Sequence, residues 1–294
     1  MIMTIHTTMT IETEQHLAKL DPRLNAAAEI VREAARFILE RHTQRKVRPL
    51  GIQVKGRNDL VTEVDKGSES IISEGLKKIF PEIPFLGEEF GIRPGEILSK
   101  EPYWILDPID GTTNFSHGFP LFSVSLALVE NGKPVIGLVV EIIRDEWFYA
   151  VSGKGSFLNG KPVKVADVPF SQTLIGTGFP IADFSHLKEF QQVLGEIIQQ
   201  NHGARRAGSA ATDLAYTASG RFNGFFELGL KPWDMAAGIL LVQEAGGIVT
   251  DYFGGNQMLE TGHLISGAPA VHRKLFEIIS RHYESFLKTN TGRI

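Results

Sequence analysis

Apolar residues recur at helical spacing through "DPRLNAAAEIVREAARFILERH" (residues 21–42), at Ala27, Ile30, Val31, Ala34, Ala35 and Ile38. The pattern predicts an amphipathic helix whose cap and first residue are Asp21 and Pro22. A second helix is predicted from Asp65 towards Phe80, stopped by Pro81. "IPFLGEE" reads as a short strand entering a turn, and "YWILD" as a strand ending at Asp107. "FSVSLALVENGKPVIGLVVEII" is two β-type runs joined at Asn131-Gly132, a hairpin signal. "EWFYAVSGKGSFLNGKPVKV" supplies another strand pair turning at Asn159-Gly160. Its "GKGSFLNGK" lacks the spacing of a phosphate loop and reads as a hairpin. The middle of the chain is thus expected to be antiparallel sheet.

After Pro169 the pattern changes to strand-helix alternation. "QTLIGTGFP", "FNGFFELG" and "IVTDY" read as strands. "FSHLKEFQQVLGEIIQQ", "SAATDLAYTASG" and "WDMAAGILLVQEAGG" read as helices. A layered α/β architecture fits. The organisation expected is a flexible tail over 1–20, an α/β half over 21–168 and a second over 169–294.

Composition narrows the class. The chain has 294 residues, 43% of them hydrophobic, and a formal net charge of −4 with both signs mixed along it. That length supports a large core. No basic tract favours nucleic acid. The absence of cysteine excludes disulfides, thiol catalysis and thiolate metal sites. No apolar run is long enough to span a bilayer, and the Thr-rich start does not read as a signal peptide, so the expected compartment is the cytosol.

Five acidic residues fall at the ends of predicted elements: Asp65, Glu88, Asp107, Asp110 and Asp234. Like charges at about 4 Å repel by about 4 kcal/mol per pair at an effective dielectric of about 20. Convergence would therefore call for shared protons or cations. All-oxygen ligands suit a hard ion such as Mg²⁺ better than zinc. In "WILDPIDGTTNF" (residues 104–115) the turn after Asp110 offers Gly111, where backbone can approach a ligand, and the hydroxyls of Thr112 and Thr113. Each acid has an ordinary reading beside this one. Asp65 and Asp234 could be helix N-caps, and a strand-end Asp is commonly a turn former.

Taken together, these stretches resemble the inositol monophosphatase family. "WILDPIDGTTNF" and "KPWDMAAGILLVQEAGG" look like its two signatures. "DLVTEVD" (59–65), "LGEE" (86–89) and "GSAATDLAYTASGRFNGFFELG" match further blocks in the family's order, over about Ala26 to Pro269. The resemblance implies a layered αβαβα sandwich, with an antiparallel N-terminal sheet and a mixed C-terminal one, in a homodimer. It implies two or three Mg²⁺ ions. Glu88, Asp107 and the carbonyl of Ile109 would hold one; Asp107, Asp110 and Asp234 a second. A weaker third would lie near Glu88 and Asp65. Gly111, Thr112 and Thr113 would meet the substrate phosphate. Thr112, bonded to Asp65, would activate water. Asp110, Ser209, Ala210, Glu227 and Asp234 would hold the alcohol, and Lys55 would lie in a hairpin over the metals.

The reaction implied is hydrolysis of a small phosphate monoester. Thr113-Asn114-Phe115, in place of a basic residue after Thr112, looks like the inositol branch. Fructose 1,6-bisphosphate or other sugar phosphates remain alternatives, as does a noncatalytic regulatory role. Lithium inhibition is expected from the resemblance. Arg205 and Arg206 are read as surface or interface residues, and His117 as a loop histidine.

Overall fold

The computed structural model describes residues 9–47, 49–56, 59–91, 102–181 and 183–290. Helices α1 (Ile11–Leu20) and α2 (Pro22–Gln44) come first. The hairpin β1 (Gln53–Gly56)–β2 (Asp59–Val61) leads to α3 (Glu63–Ile79). Next come β3 (Phe85–Gly87), β4 (Tyr103–Asp110) and the short α4 (Thr112–His117). A meander follows: β5 (Ser123–Glu130), β6 (Lys133–Glu141), β7 (Glu146–Val151), β8 (Ser156–Leu158) and β9 (Lys161–Val163). The β5–β6 turn places Asn131 and Gly132 at φ 51° and 74°, the positive values that the Asn-Gly signal supplies. Asn159 and Gly160 do the same between β8 and β9, so "GKGSFLNGK" is a hairpin.

The remaining elements are β10 (Ile175–Thr177), α5 (Leu187–Ile198), β11 (Ala204–Arg205), α6 (Ala210–Ala218), β12 (Gly224–Leu228), α7 (Pro232–Glu244), β13 (Ile248–Thr250), α8 (Met258–Thr261), β14 (His263–Gly267), α9 (Pro269–His282) and α10 (Glu284–Asn290). Sheet order is β3-β4-β5-β6-β7-β8-β9 in the first sheet and β11-β10-β12-β14-β13 in the second.

Strands β4 to β7 read as nearly continuous apolar runs because both faces of the sheet are covered. Trp104, Leu106, Val124, Leu126 and Leu138 pack with Leu24, Val31, Ile38 and Ile72 of α2 and α3. The alternate residues Ile105, Ala127, Val129 and Val139 pack against α6 and α7. Those two helices also meet the second sheet, whose far side carries α5 and α9. The layers are therefore αβαβα, as expected. The change of sheet falls between Val163 and Ile175, while α6 and α7 form a layer common to both sheets.

Four details depart from the sequence reading. The first sheet is not wholly antiparallel, because edge strand β3 runs parallel to β4. Residues 11–20 are a helix rather than a flexible tail: Thr10 caps it, and Leu17 is fully buried. Thr-rich sequence hid a helix whose stability comes from packing on α2 rather than from propensity. Neither Asp65 nor Asp234 is an N-cap. Each sits three residues past one, and its Oδ2 accepts from the N–H of Thr62 or Lys231, at 2.8 and 2.7 Å. The pattern after Tyr252 gave no element, yet β14 and α9 lie there. No helix among the described residues is long and apolar enough to cross a membrane.

Candidate active site

β4 ends where the chemistry begins. Its pairing with β5 is irregular between Asp107 and Asp110, next to Pro108, so the strand swings away from its partner there. Asp107 Oδ1 accepts from the Ile109 N–H at 2.9 Å. Ser68 of α3 donates to the Pro108 carbonyl at 3.2 Å and pins the bend. Gly111 follows at φ 99°, and a Cβ there would stand 3.0 Å from the Gly208 carbonyl. Only glycine meets both demands cheaply. The chain then enters α4, with Thr113 exposed in its first turn.

Four further segments converge on this corner. From α3, Asp65 Oδ1 accepts from Thr112 Oγ1 at 2.9 Å. From the α6 N-terminus, Ser209 Oγ and the Ala211 N–H donate to Asp110 Oδ2 at 2.6 and 2.7 Å. From α7, Asp234 shares a cavity of about 140 Å³ with Asp110, Ser209, Ala210 and Glu227. From the turn after β3, the charge of Glu88 bears on Asp107 and Asp234. That turn is held by Glu69 of α3, which accepts from the Glu89 N–H at 2.9 Å and from Phe90 N. Glu69 was not singled out from the sequence; an acidic residue one turn after Asp65 resembles any exposed helix position.

Electrostatics follow from this crowding. Burial first, then Glu88, Asp110, Asp234 and Asp65, hold the Asp107 carboxyl well above the usual carboxylate range. Burial and then Asp110 do the same to Asp234. Asp110 is raised to about 6 by burial, against hydrogen bonds from Ser209 and Ala211. Burial also raises Asp65, opposed by Thr62 and Thr112. Among the described residues, no three acidic or histidine side chains form a group that could hold a metal ion as they stand. One oxygen each of Asp107, Asp110 and Asp234 is instead engaged by a protein N–H. Such buried, mutually repelling carboxylates nevertheless form an all-oxygen donor set that suits a hard cation.

The cavity also contains residues that sequence reasoning missed. Thr177, Gly178 and Asp213 line it. Gly178 leaves room for Glu227, since a Cβ there would lie 1.8 Å from Glu227 Oε1. Arg206, expected at a surface or interface, lines the cavity too and lies over Phe179, 5.7 Å from the ring centroid. Arg205 is exposed. His117 is exposed and borders a separate hollow. Lys55 lies in β1, and its side chain is outside the described residues. One signal could have found Asp213: an acidic residue inside an otherwise apolar, small-residue helix.

Residues 19–284 match the profile of the inositol monophosphatase family. A Nus factor SuhB of Pseudomonas aeruginosa is 39% identical over 92% of this chain and 100% of its own. An inositol-1-monophosphatase of Mesorhizobium japonicum is 41% identical over 80% of this chain and 88% of its own. The solved structure of an IMPase from Thermotoga maritima superposes with a TM-score of 0.80. It is 31% identical and covers 90% of this chain and 99% of its own.

Proposed function

This chain belongs to the inositol monophosphatase family, and from that premise we propose that it is a Mg²⁺-dependent phosphomonoesterase that hydrolyses inositol 1-phosphate. The observation that carries the reading is one cavity shared by Asp110, Asp234 and Glu227. It joins a carboxylate cluster suited to cations to a pocket suited to a polyol.

Glu88, Asp107, the Ile109 carbonyl, Asp110 and Asp234 would hold the metal ions, two or three in number. When bound, they supply charge neutralisation at phosphorus, a more acidic water and stabilisation of the leaving alkoxide. The chain does the rest. Gly111, Thr112 and Thr113 receive the phosphate. Thr112 donates its hydroxyl to Asp65 and keeps lone pairs free to accept from the attacking water. Asp65, its proton affinity raised by burial, takes the proton through Thr112. Glu227, with Ser209 and Ala210, orients the alcohol. Water attacks phosphorus directly, without a covalent enzyme intermediate. A lithium ion competing at the weakest metal site would inhibit turnover.

The test is phosphate release from inositol 1-phosphate with and without Mg²⁺, with fructose 1,6-bisphosphate alongside. Mg²⁺-dependent release that Asp110→Asn nearly abolishes is expected. Near-wild-type release by that variant would sink the assignment. Relatives that carry the name Nus factor rather than a phosphatase name favour a second reading, a noncatalytic binding role. No Mg²⁺-dependent release on any phosphate monoester, with macromolecular binding intact, would favour it.

A further inference from the structure

Asp213 is 1% exposed on α6, every residue of which is buried. It lines the cavity, and its Oδ1 has no hydrogen-bond partner among the described residues. A buried acidic group with an unsatisfied oxygen is costly, so its retention calls for a partner from outside the chain. Helix capping does not account for it. The α6 N-terminus is already served by the Ser209 side chain, which accepts from Thr212 N, and by Asp110, which accepts from Ala211 N. Arg206 lines the same cavity and tempers the field, yet its buried Nε also has no hydrogen-bond partner among the described residues. Glu227 stands on the opposite element, β12, and its charge bears on Asp213. The pocket therefore offers the alcohol a further carboxyl group, Asp213, beside Asp110, Glu227 and Asp234, the three that the family resemblance implies.

We propose that Asp213 is a specificity-determining residue: it accepts a hydrogen bond from a second substrate hydroxyl while Glu227 holds the first, so the pocket selects polyol phosphates over phosphates of alcohols without neighbouring hydroxyls. This rests on the phosphatase reading above and deepens it. A site built around a hydroxyl discriminates strongly, because the analogue lacking that hydroxyl leaves the buried acceptor unpaired.

The experiment compares kcat/KM for inositol 1-phosphate and for p-nitrophenyl phosphate, whose leaving group carries no further hydroxyl. In Asp213→Ala the ratio of the two should fall by about tenfold or more. Asp213→Asn, which keeps an acceptor oxygen, should recover part of the ratio. An unchanged ratio overturns the proposal whatever the absolute rates do. Loss of both activities in both variants also overturns it, since a structural role gives that result. If the wild-type chain hydrolyses neither substrate, the phosphatase reading falls, and this assignment with it. Wild-type activity on both with an unchanged variant ratio removes Asp213 alone.

Discussion

Thr112 Oγ1 donates to Asp65 Oδ1 at 2.9 Å, joining residues 47 positions apart in the chain. The same hydroxyl lies 3.0 Å from the Ile109 carbonyl, so its one hydrogen has two acceptors to choose between. Removing the carboxylate should turn the hydroxyl towards Ile109 and cut the proton path. Asp65→Asn is expected to lower kcat by about 10²–10⁴-fold with a smaller change in KM. Steady-state kinetics at saturating Mg²⁺ check this, and an unchanged kcat would remove Asp65 from the mechanism.

Stability of the metal-free protein should depend on pH through the same cluster. Asp110 is raised to about 6 in the fold, above the usual 3.8 of an aspartate. A raised carboxyl holds its proton in the folded state where the unfolded chain has released it. Its contribution is therefore present at low pH and declines as pH rises from about 4 to 6, by about 1–3 kcal/mol. Asp107 and Asp234 shift in the same direction. Cations compete with these protons, so Mg²⁺ should raise the melting temperature more at pH about 8 than at pH about 5. Equal shifts at the two pH values would contradict the cluster's role.

Gly178→Ala should damage the alcohol pocket while sparing the carboxylate corner. Its Cβ would stand 1.8 Å from Glu227 Oε1 and force that side chain aside. KM for inositol 1-phosphate should rise by about tenfold, on the scale of one misplaced contact. Activity on p-nitrophenyl phosphate should hold, and parallel losses would show a general distortion instead.

The N-terminal helix should matter to stability. Leu17 is fully buried on α1, and His16 Nδ1 lies 2.9 Å from the Tyr149 hydroxyl of β7. Leu17→Ala should cost about 2–4 kcal/mol. Urea unfolding measures it, and a loss below about 0.5 kcal/mol would mean that α1 adds little to the core.

Most elements were legible because their signals are local. Asn131-Gly132 marks its own turn, and Asp21-Pro22 its own helix start. The helix α1 was missed because its reason for forming, burial of Leu17 against α2, is not local. The parallel pairing of β3 was missed for a similar cause: a three-residue strand does not encode its neighbour's direction.

The sequence by itself determined which residue types stand at or near element ends: the five acids, the glycine at 111 and the threonine at 112, although β4 runs on past Asp107 to Asp110. Short-range chemistry sufficed there, because charges behind apolar runs and a glycine before hydroxyls stand out against the pattern. Only the tertiary structure decided what those residues face. It turned Asp110 onto the α6 N-terminus and brought Arg206 into the cavity. It also left an oxygen of Asp213 buried with no hydrogen-bond partner among the described residues. The segments that make this corner are separated by tens of residues to more than a hundred. They meet because two sheets share one helical layer, and that sharing is a property of packing rather than of any local stretch.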